Sequence, residues 1–295
     1  MNKTMQRKKP TILKSLEKKN NDYSKLEPFT NDAPIKSSII IPFYNSFNTL
    51  KKTITNLSNH QEIIKNSDKF EIIINDGSRM DLPFSLNIIP CRFTYVYYRK
   101  NMGRSYARNK GVSLAKNELL IFLDSDVLLP TNYFREVWKI HNKTNKAVVC
   151  GLAESILLRD KKTRLVNSDN VKPEIKHDFR YIKEFRGKEY KLLEETNNFK
   201  FFGNLRVIGP WTLPKMVITH NLSVRRNETI KVKGFDERFK SWGYEDVHFG
   251  AKLIANNCFI IPLLKSGVLR IHERKKKFSD KNRKLYERLI KKETV

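Results

Sequence analysis

The chain alternates short apolar or aromatic runs with segments of helical spacing. Residues 37–43 (SSIIIPF), 70–74 (FEIII), 94–98 (TYVYY) and 119–123 (LLIFL) are too short to cross a membrane, and they predict buried strands. Leu50, Ile54 and Leu57 stripe a helix between the first two runs, and residues 104–115 supply another before the fourth. Strand and helix in this rhythm predict an α/β domain whose parallel sheet has right-handed crossovers and gathers ligands at the strand C-termini. Each strand stops at polar residues, so Asn45, Asp76, Asn101 and Asp124 are expected to meet in one crevice.

The second half is less regular. A helix over 131–141 and a strand over 147–153 precede residues 154–215, which are charged and aromatic, with Trp211 between Pro210 and Pro214. A long irregular segment of this kind predicts a binding loop or lid. Order returns with a strand over 217–225 (VITHNLSVR), a short helix over 227–232 and a turn at Gly234-Phe235-Asp236-Glu237. Trp242-Gly243-Tyr244-Glu245-Asp246 then opens a helix to about residue 256, with Phe249 and Leu253 four apart on one face. Short strands over 258–264 and 268–271 follow, and His272 closes the second.

The two ends differ from this body. Residues 1–35 are Lys-rich with one short helical pattern near 12–19, and read as a mobile or loosely packed basic arm. Residues 274–295 are basic and carry Leu285, Tyr286, Leu289 and Ile290 as an amphipathic stripe. Such a stripe is expected to dock on the domain, and an anionic membrane surface is its other option.

Composition narrows the partners more than the fold. A hydrophobic content of 39% sustains a core, and a formal charge of +27 favours anionic partners such as nucleotide sugars, acidic polymers or an anionic membrane face. Zinc-finger spacing, aromatic RNA-binding signatures and a helix-turn-helix pattern are missing, so no nucleic-acid partner is expected. Cys91, Cys150 and Cys258 are distant and odd in number, which argues against a disulfide framework or a zinc knuckle. Met1 is followed by polar residues rather than an apolar signal core, so the expected location is cytoplasmic, peripheral at the inner membrane face if the basic tail engages it.

The chemistry concentrates at Asp124-Ser125-Asp126. Two carboxylates one residue apart at a strand end can hold Mn2+ or Mg2+ beside a phosphate and neutralise a departing diphosphate. A plain Asp-Ser-Asp turn explains the same residues. Glu245 and Asp246 can cap their helix, but a Trp-Gly pair just before two adjacent carboxylates asks for more than capping.

SSIIIPFYN, EIIINDGS, RKNMGRSYARNKG, LLIFLDSD, HNLSVRR, KGFDERFKSWGYEDVHFG and IHERK resemble, in order, the motifs of GT-A fold family 2 glycosyltransferases. The second half is similar to the C-terminal segment shared by galactosyltransferase-like enzymes, chondroitin-polymerase modules and polypeptide N-acetylgalactosaminyltransferases. The resemblance covers about residues 37–273 and implies one Rossmann-like GT-A domain over 36–273, divided into a nucleotide-binding half (36–130) and an acceptor and catalytic half (131–273). It implies that Pro42, Tyr44 and Asn45 lie under the nucleotide, that Asp76 accepts from the uracil N–H, and that Asn101, Gly103 and Arg108 flank the donor. The family's usual Asp-Asp before Gly-Ser is here Asn75-Asp76. Asp124, Ser125 and Asp126 match the DXD motif, with Asp126 and His272 as metal ligands and Asp124 nearer the ribose.

The same resemblance makes Asp246 the general base, Glu245 a partner for sugar hydroxyls and Trp242 a stacking face for a sugar; Trp211, in the segment 154–215 that the resemblance does not cover, is a further acceptor-side candidate. Retaining relatives usually carry Asn at the position of Asp246, so an acid there implies inversion. The expected reaction is a metal-dependent transfer from a UDP-sugar to a glycan, lipid-linked or peptide acceptor. Two other readings are open. A nucleotidyltransferase would call for a Gly-rich phosphate loop after the first strand, which residues 37–45 do not supply. A non-catalytic basic binding protein on a degenerate scaffold would have lost the carboxylates, and here they are retained.

Overall fold

The computed structural model describes residues 9–18, 31–157, 214, 217–272 and 279–295, except for the side chains at 17–18, 152–157, 262, 264–265 and 272. The expected loop or lid over 154–215 lies almost wholly outside the described residues, and Trp211 with it.

Helix α1 (Ile12–Lys18) precedes strand β1 (Ser37–Phe43), and helices α2 (Phe47–Ser58) and α3 (Gln61–Lys65) lead to β2 (Phe70–Asp76). Strand β3 (Arg92–Tyr97), helix α4 (Arg104–Leu114) and β4 (Leu119–Leu123) complete the first half. The second half runs β5 (Val127–Leu128), α5 (Tyr133–Lys143), β6 (Ala147–Leu157), β7 (Asn221–Arg225), α6 (Arg226–Lys231), α7 (Glu245–Ala255), β8 (Phe259–His272) and α8 (Asp280–Lys292).

The eight described strands form one sheet in the order β3-β2-β1-β4-β7-β6-β8-β5. The first four pair in parallel, with Ile39 opposite both Ile72 and Ile121. Their continuous apolar runs suit this position, since helices cover both faces of such a sheet. Ile39, Ile40 and Ile41 of β1, Ile72, Ile73 and Ile74 of β2, and every residue of β4 are fully buried. Helix α4 approaches β1 and β2 closely through Gly111, where a Cβ would lie 2.4 Å from Cγ2 of Ile40.

Strand β7 runs antiparallel to both β4 and β6, and it joins the parallel half to the rest. Residues 258–271, expected as two short strands, form one long strand instead. β8 pairs in parallel with β6 through an irregularity between Gly151 and Ala153, then pairs antiparallel with β5 at its far end. The Lys265-Ser266-Gly267 sequence reads as a turn, but Ser266 is fully buried and partnered by Asn132. A buried, bonded polar residue lets the strand continue.

The termini also differ from the sequence expectation. Ile12 and Leu16, four apart on α1, are buried, and α1 packs against α7 and α8. Thr11 forms an antiparallel bridge with Thr294, and the Ile12 N–H donates to the Glu293 carbonyl at 2.7 Å. Ile12 and Leu16 are therefore part of the core, and α1 is docked rather than a loose arm. On α8, Tyr286, Leu289 and Ile290 are buried, so the apolar stripe is turned inward and is not presented to a membrane.

Charges pin the same junction. Asp236, the buried His248 and Glu293 bring their ligand atoms within 4.8 Å of one another, and Arg238 bridges the two carboxylates. The guanidinium balances both acids, and this cluster fastens the tail.

Candidate active site

A cleft of about 520 Å3 opens at the C-terminal edge of β1, β2 and β4. One wall comes from the strand ends and the start of α4. Pro42 at the end of β1, Tyr44, Gly77, Asn101 and Gly103 line it together with Tyr98 and Tyr106, whose rings meet edge to face. The Asn101 side chain accepts the Gly103 N–H at 2.9 Å, and Gly103 has φ +91°, so this turn needs glycine.

Asp76 lies beneath that wall rather than on it. It is fully buried, with one carboxylate oxygen accepting the Ser78 N–H at 2.7 Å and the other the Tyr95 hydroxyl at 2.6 Å. Asn75, standing where the family usually has Asp, is equally buried and accepts the Tyr98 hydroxyl at 2.8 Å. A neutral side chain at this point avoids a second buried charge beside Asp76. Asn45 sits on the rim at φ +56°, its N–H donating to the Ser78 hydroxyl, and does not itself line the cleft. Of the four expected strand-end residues, Asn101 and Asp124 meet in the cleft, Asp76 supports its floor, and Asn45 shapes its edge.

The opposite wall carries the charges. Asp124, Ser125 and Asp126 leave the end of β4 facing the cleft, which Trp242 and Arg270 also line. Arg108 of α4 is buried beneath, its guanidinium donating to Asp124 at 3.4 Å and to Glu245 at 3.3 Å, while it lies 5.5 Å over the Phe235 ring. One side chain thus connects the end of β4 to the start of α7. Arg270 donates through a single nitrogen to Asp124 at 3.4 Å and Asp126 at 3.2 Å, and Arg104 lies 4.0 Å from Glu245.

These neighbours divide the carboxylates. Burial opposes ionisation of Asp124, but Arg270, Arg108 and Arg104 overcome it and hold its carboxyl well below the usual range. Asp126 shifts upward, through burial and then the Asp124 charge. Asp246, at the first turn of α7, is pushed up to about 7 by burial and the adjacent Glu245. A carboxylate that titrates near neutrality can accept a proton at working pH.

The site also fits a divalent cation. Oδ1 of Asp126 is buried without a hydrogen-bond partner, and hard carboxylate oxygens suit Mn2+ or Mg2+. The Asp126 carbonyl accepts the Ile271 N–H at 2.8 Å, which brings the backbone of His272 beside the acidic pair. The His272 side chain itself lies outside the described residues. Oε2 of Glu245 is likewise buried and without a hydrogen-bond partner, while its other oxygen takes Arg108.

Arg104, Tyr98, Tyr106 and Arg270 escaped the sequence reading. The first three belong to segments whose backbone was placed, but their direction depends on α4 packing. Arg270 had a signal, since it stands two residues before His272 in a strand and so shares its face.

Sheet order, cleft and acidic pair define a GT-A glycosyltransferase fold. The mannosyltransferase PcManGT from Pyrobaculum calidifontis, solved with GDP-Man and Mn2+, superposes with a TM-score of 0.55 at 14% identity, over 90% of this chain and 65% of that one. GalNAc-T7, solved with UDP, GalNAc and Mn2+, gives a TM-score of 0.57 at 14% identity, over 82% of this chain and 44% of that one.

The chain belongs to glycosyl transferase family 2, whose model matches residues 38–207, and residues 215–274 match the model described as the N-terminal domain of galactosyltransferase. A relative is the uncharacterized glycosyltransferase YfnE of Bacillus subtilis, 28% identical over 74% of this chain. The chain spans 60% of that relative's length. No described helix is long and apolar enough to cross a membrane.

Proposed function

We propose that the protein is a metal-dependent, inverting glycosyltransferase that moves a sugar from a UDP-sugar to a glycan, lipid-linked or peptide acceptor. The observation that carries this reading is the Arg108 bridge between Asp124 and Glu245, which ties the start of α7 to the acidic turn after β4. Donor binding and acceptor activation can then share one cleft.

Pro42, Tyr44, Asn101 and Gly103 receive the nucleoside, with Asp76 as its base-reading carboxylate. Asp126, with Asp124 and His272, would hold a divalent cation, which when bound supplies positive charge to the departing diphosphate. Trp242 offers an aromatic face to a sugar ring, and Glu245 orients hydroxyls through its unpaired oxygen. Asp246 takes the proton from the acceptor hydroxyl as its oxygen bonds to the sugar carbon, and the bond to the β-phosphate breaks with its electrons leaving on UDP. One displacement of this kind inverts the anomeric centre.

The test is calorimetric titration of the full chain with UDP and a panel of UDP-sugars, with and without Mn2+, followed by donor hydrolysis on any donor that binds. Manganese-dependent binding of one UDP-sugar is the expected result. Absence of binding to every uridine nucleotide would overturn the Asp76 and Asp124–Asp126 assignments together.

A further inference from the structure

Helix α4 brings two arginines to the same carboxylate. Arg104 and Arg108 stand one turn apart, and both approach Oε1 of Glu245, at 4.0 and 3.3 Å. They are not equivalent. Arg108 is 1% exposed and donates to both Asp124 and Glu245, so its charge is matched beneath the cleft. Arg104 is 40% exposed and lines the cleft, and at 4.0 Å its guanidinium is too far from Glu245 for a hydrogen bond.

The backbone fixes where Arg104 stands. The Asn101 side chain holds the Gly103 N–H, and the Gly103 carbonyl accepts the Ala107 N–H at 3.1 Å, so α4 begins at Arg104. From there its guanidinium shares the cleft with Asp124, Ser125 and Asp126, and its positive charge is one of those that hold the Asp124 carboxyl ionised. The acids around it already have partners. Asp124 accepts from Arg108 and Arg270, one oxygen of Glu245 takes Arg108, and the other is buried. Arg104 is thus a cation on the cleft surface, held beside the acidic turn and hydrogen-bonded to none of its carboxylates.

We propose that Arg104 binds the β-phosphate of the donor and carries part of its charge as the nucleotide departs. This rests on the transferase reading given above, which brings a diphosphate to Asp124 and Asp126. A guanidinium offers parallel N–H donors that match two phosphate oxygens. When the bond from the sugar carbon to the β-phosphate oxygen breaks, its electron pair stays on that oxygen and the diphosphate gains one negative charge. A guanidinium paired with that phosphate therefore binds the transition state more strongly than the ground state. Arg108 is buried and matched within the protein, so the two arginines have separate tasks: one joins α4 to α7, the other meets the substrate.

The experiment is calorimetric titration of the full chain with UDP and with UMP at saturating Mn2+, for the unaltered protein, Arg104→Gln and Arg104→Lys. UMP lacks the β-phosphate and is the internal control. Arg104→Gln is expected to bind UDP about tenfold more weakly and UMP with unchanged affinity, and Arg104→Lys to recover part of the UDP loss through its retained charge. An arginine that only shapes the wall would weaken both nucleotides alike or neither. Equal losses for UDP and UMP, or undiminished UDP affinity in Arg104→Gln, overturn the inference and leave the transferase reading intact, provided the unaltered chain shows manganese-dependent UDP binding. Failure of the unaltered chain to bind UDP overturns both.

Discussion

Asn282, on the last helix of the chain, donates its side-chain amide to the carbonyl of Gly243 at 2.7 Å, directly behind Trp242 in the cleft wall. The same amide reaches the Ser241 carbonyl at 2.9 Å, and the Ser279 N–H donates to the Trp242 carbonyl at 3.3 Å. Gly243 has φ +97° and Tyr244 φ +70°, so this turn adopts backbone conformations that need outside support. The tail supplies that support. Asn282→Ala should lower stability by about 1–3 kcal/mol, since buried carbonyls lose their donor. It should also raise the acceptor KM more than the donor KM, because the backbone on both sides of Trp242 loses its donor. Urea unfolding and steady-state kinetics check the two effects separately.

Gly111 sets how close α4 lies to the sheet. An added Cβ would come within 2.4 Å of Cγ2 of Ile40 and 3.0 Å of Nδ2 of Asn75, both fully buried residues. Alanine in a helix is usually favoured over glycine by ~1 kcal/mol, but here overpacking by a branched core neighbour outweighs it. Gly111→Ala should cost about 1–3 kcal/mol. Arg108 is one turn earlier on the same helix, so activity should fall along with the urea midpoint. An unchanged midpoint would show that α4 can shift without loss.

The parallel half was legible in the sequence because its strands are continuous apolar runs with no competing period. The acidic part of the cleft was legible through Asp124 and Asp126, whose spacing at a strand end is local information. What was not legible depends on packing between distant segments. α1 looked like part of a loose arm because its two buried apolar side chains among the described residues, Ile12 and Leu16, pack against helices more than two hundred residues away. β8 looked like two strands because Lys265-Ser266-Gly267 carries turn chemistry, which tertiary pairing with β6 and β5 overrides. Arg270 joins the acidic pair only once β8 is laid beside β5.

Asp76 separates a base-reading role from a structural one. Tyr95→Phe removes one of its two donors and should destabilise the fold by about 1–3 kcal/mol. It should leave Mn2+ binding without nucleotide unchanged. Asp76→Asn should weaken UDP at least tenfold if the carboxylate reads the base. A residue that only organises the Ser78 turn would lower stability in that variant without altering UDP affinity in the folded fraction.

Asp246 predicts opposite pH trends for activity and stability. Its folded carboxyl titrates at about 7, whereas an unfolded aspartate titrates near ~3.9. Activity needs the ionised form, so kcat should rise about tenfold per pH unit below 7 and level above it. Stability runs the other way. Between the two values the unfolded chain has released this proton and the native chain has kept it, so rising pH favours unfolding until the native group also ionises. Asp246→Asn removes that burden. The variant should match the unaltered protein below pH 4, become increasingly more stable up to pH 7, and hold a constant advantage beyond. The full shift corresponds to as much as about 4 kcal/mol. Thermal unfolding from pH 4 to 8, paired with transfer assays, checks both arms. A variant that loses transfer yet gains no stability at pH 8 would show that Asp246 ionises freely in the native protein, and its assignment as a base tuned by burial and Glu245 would be lost.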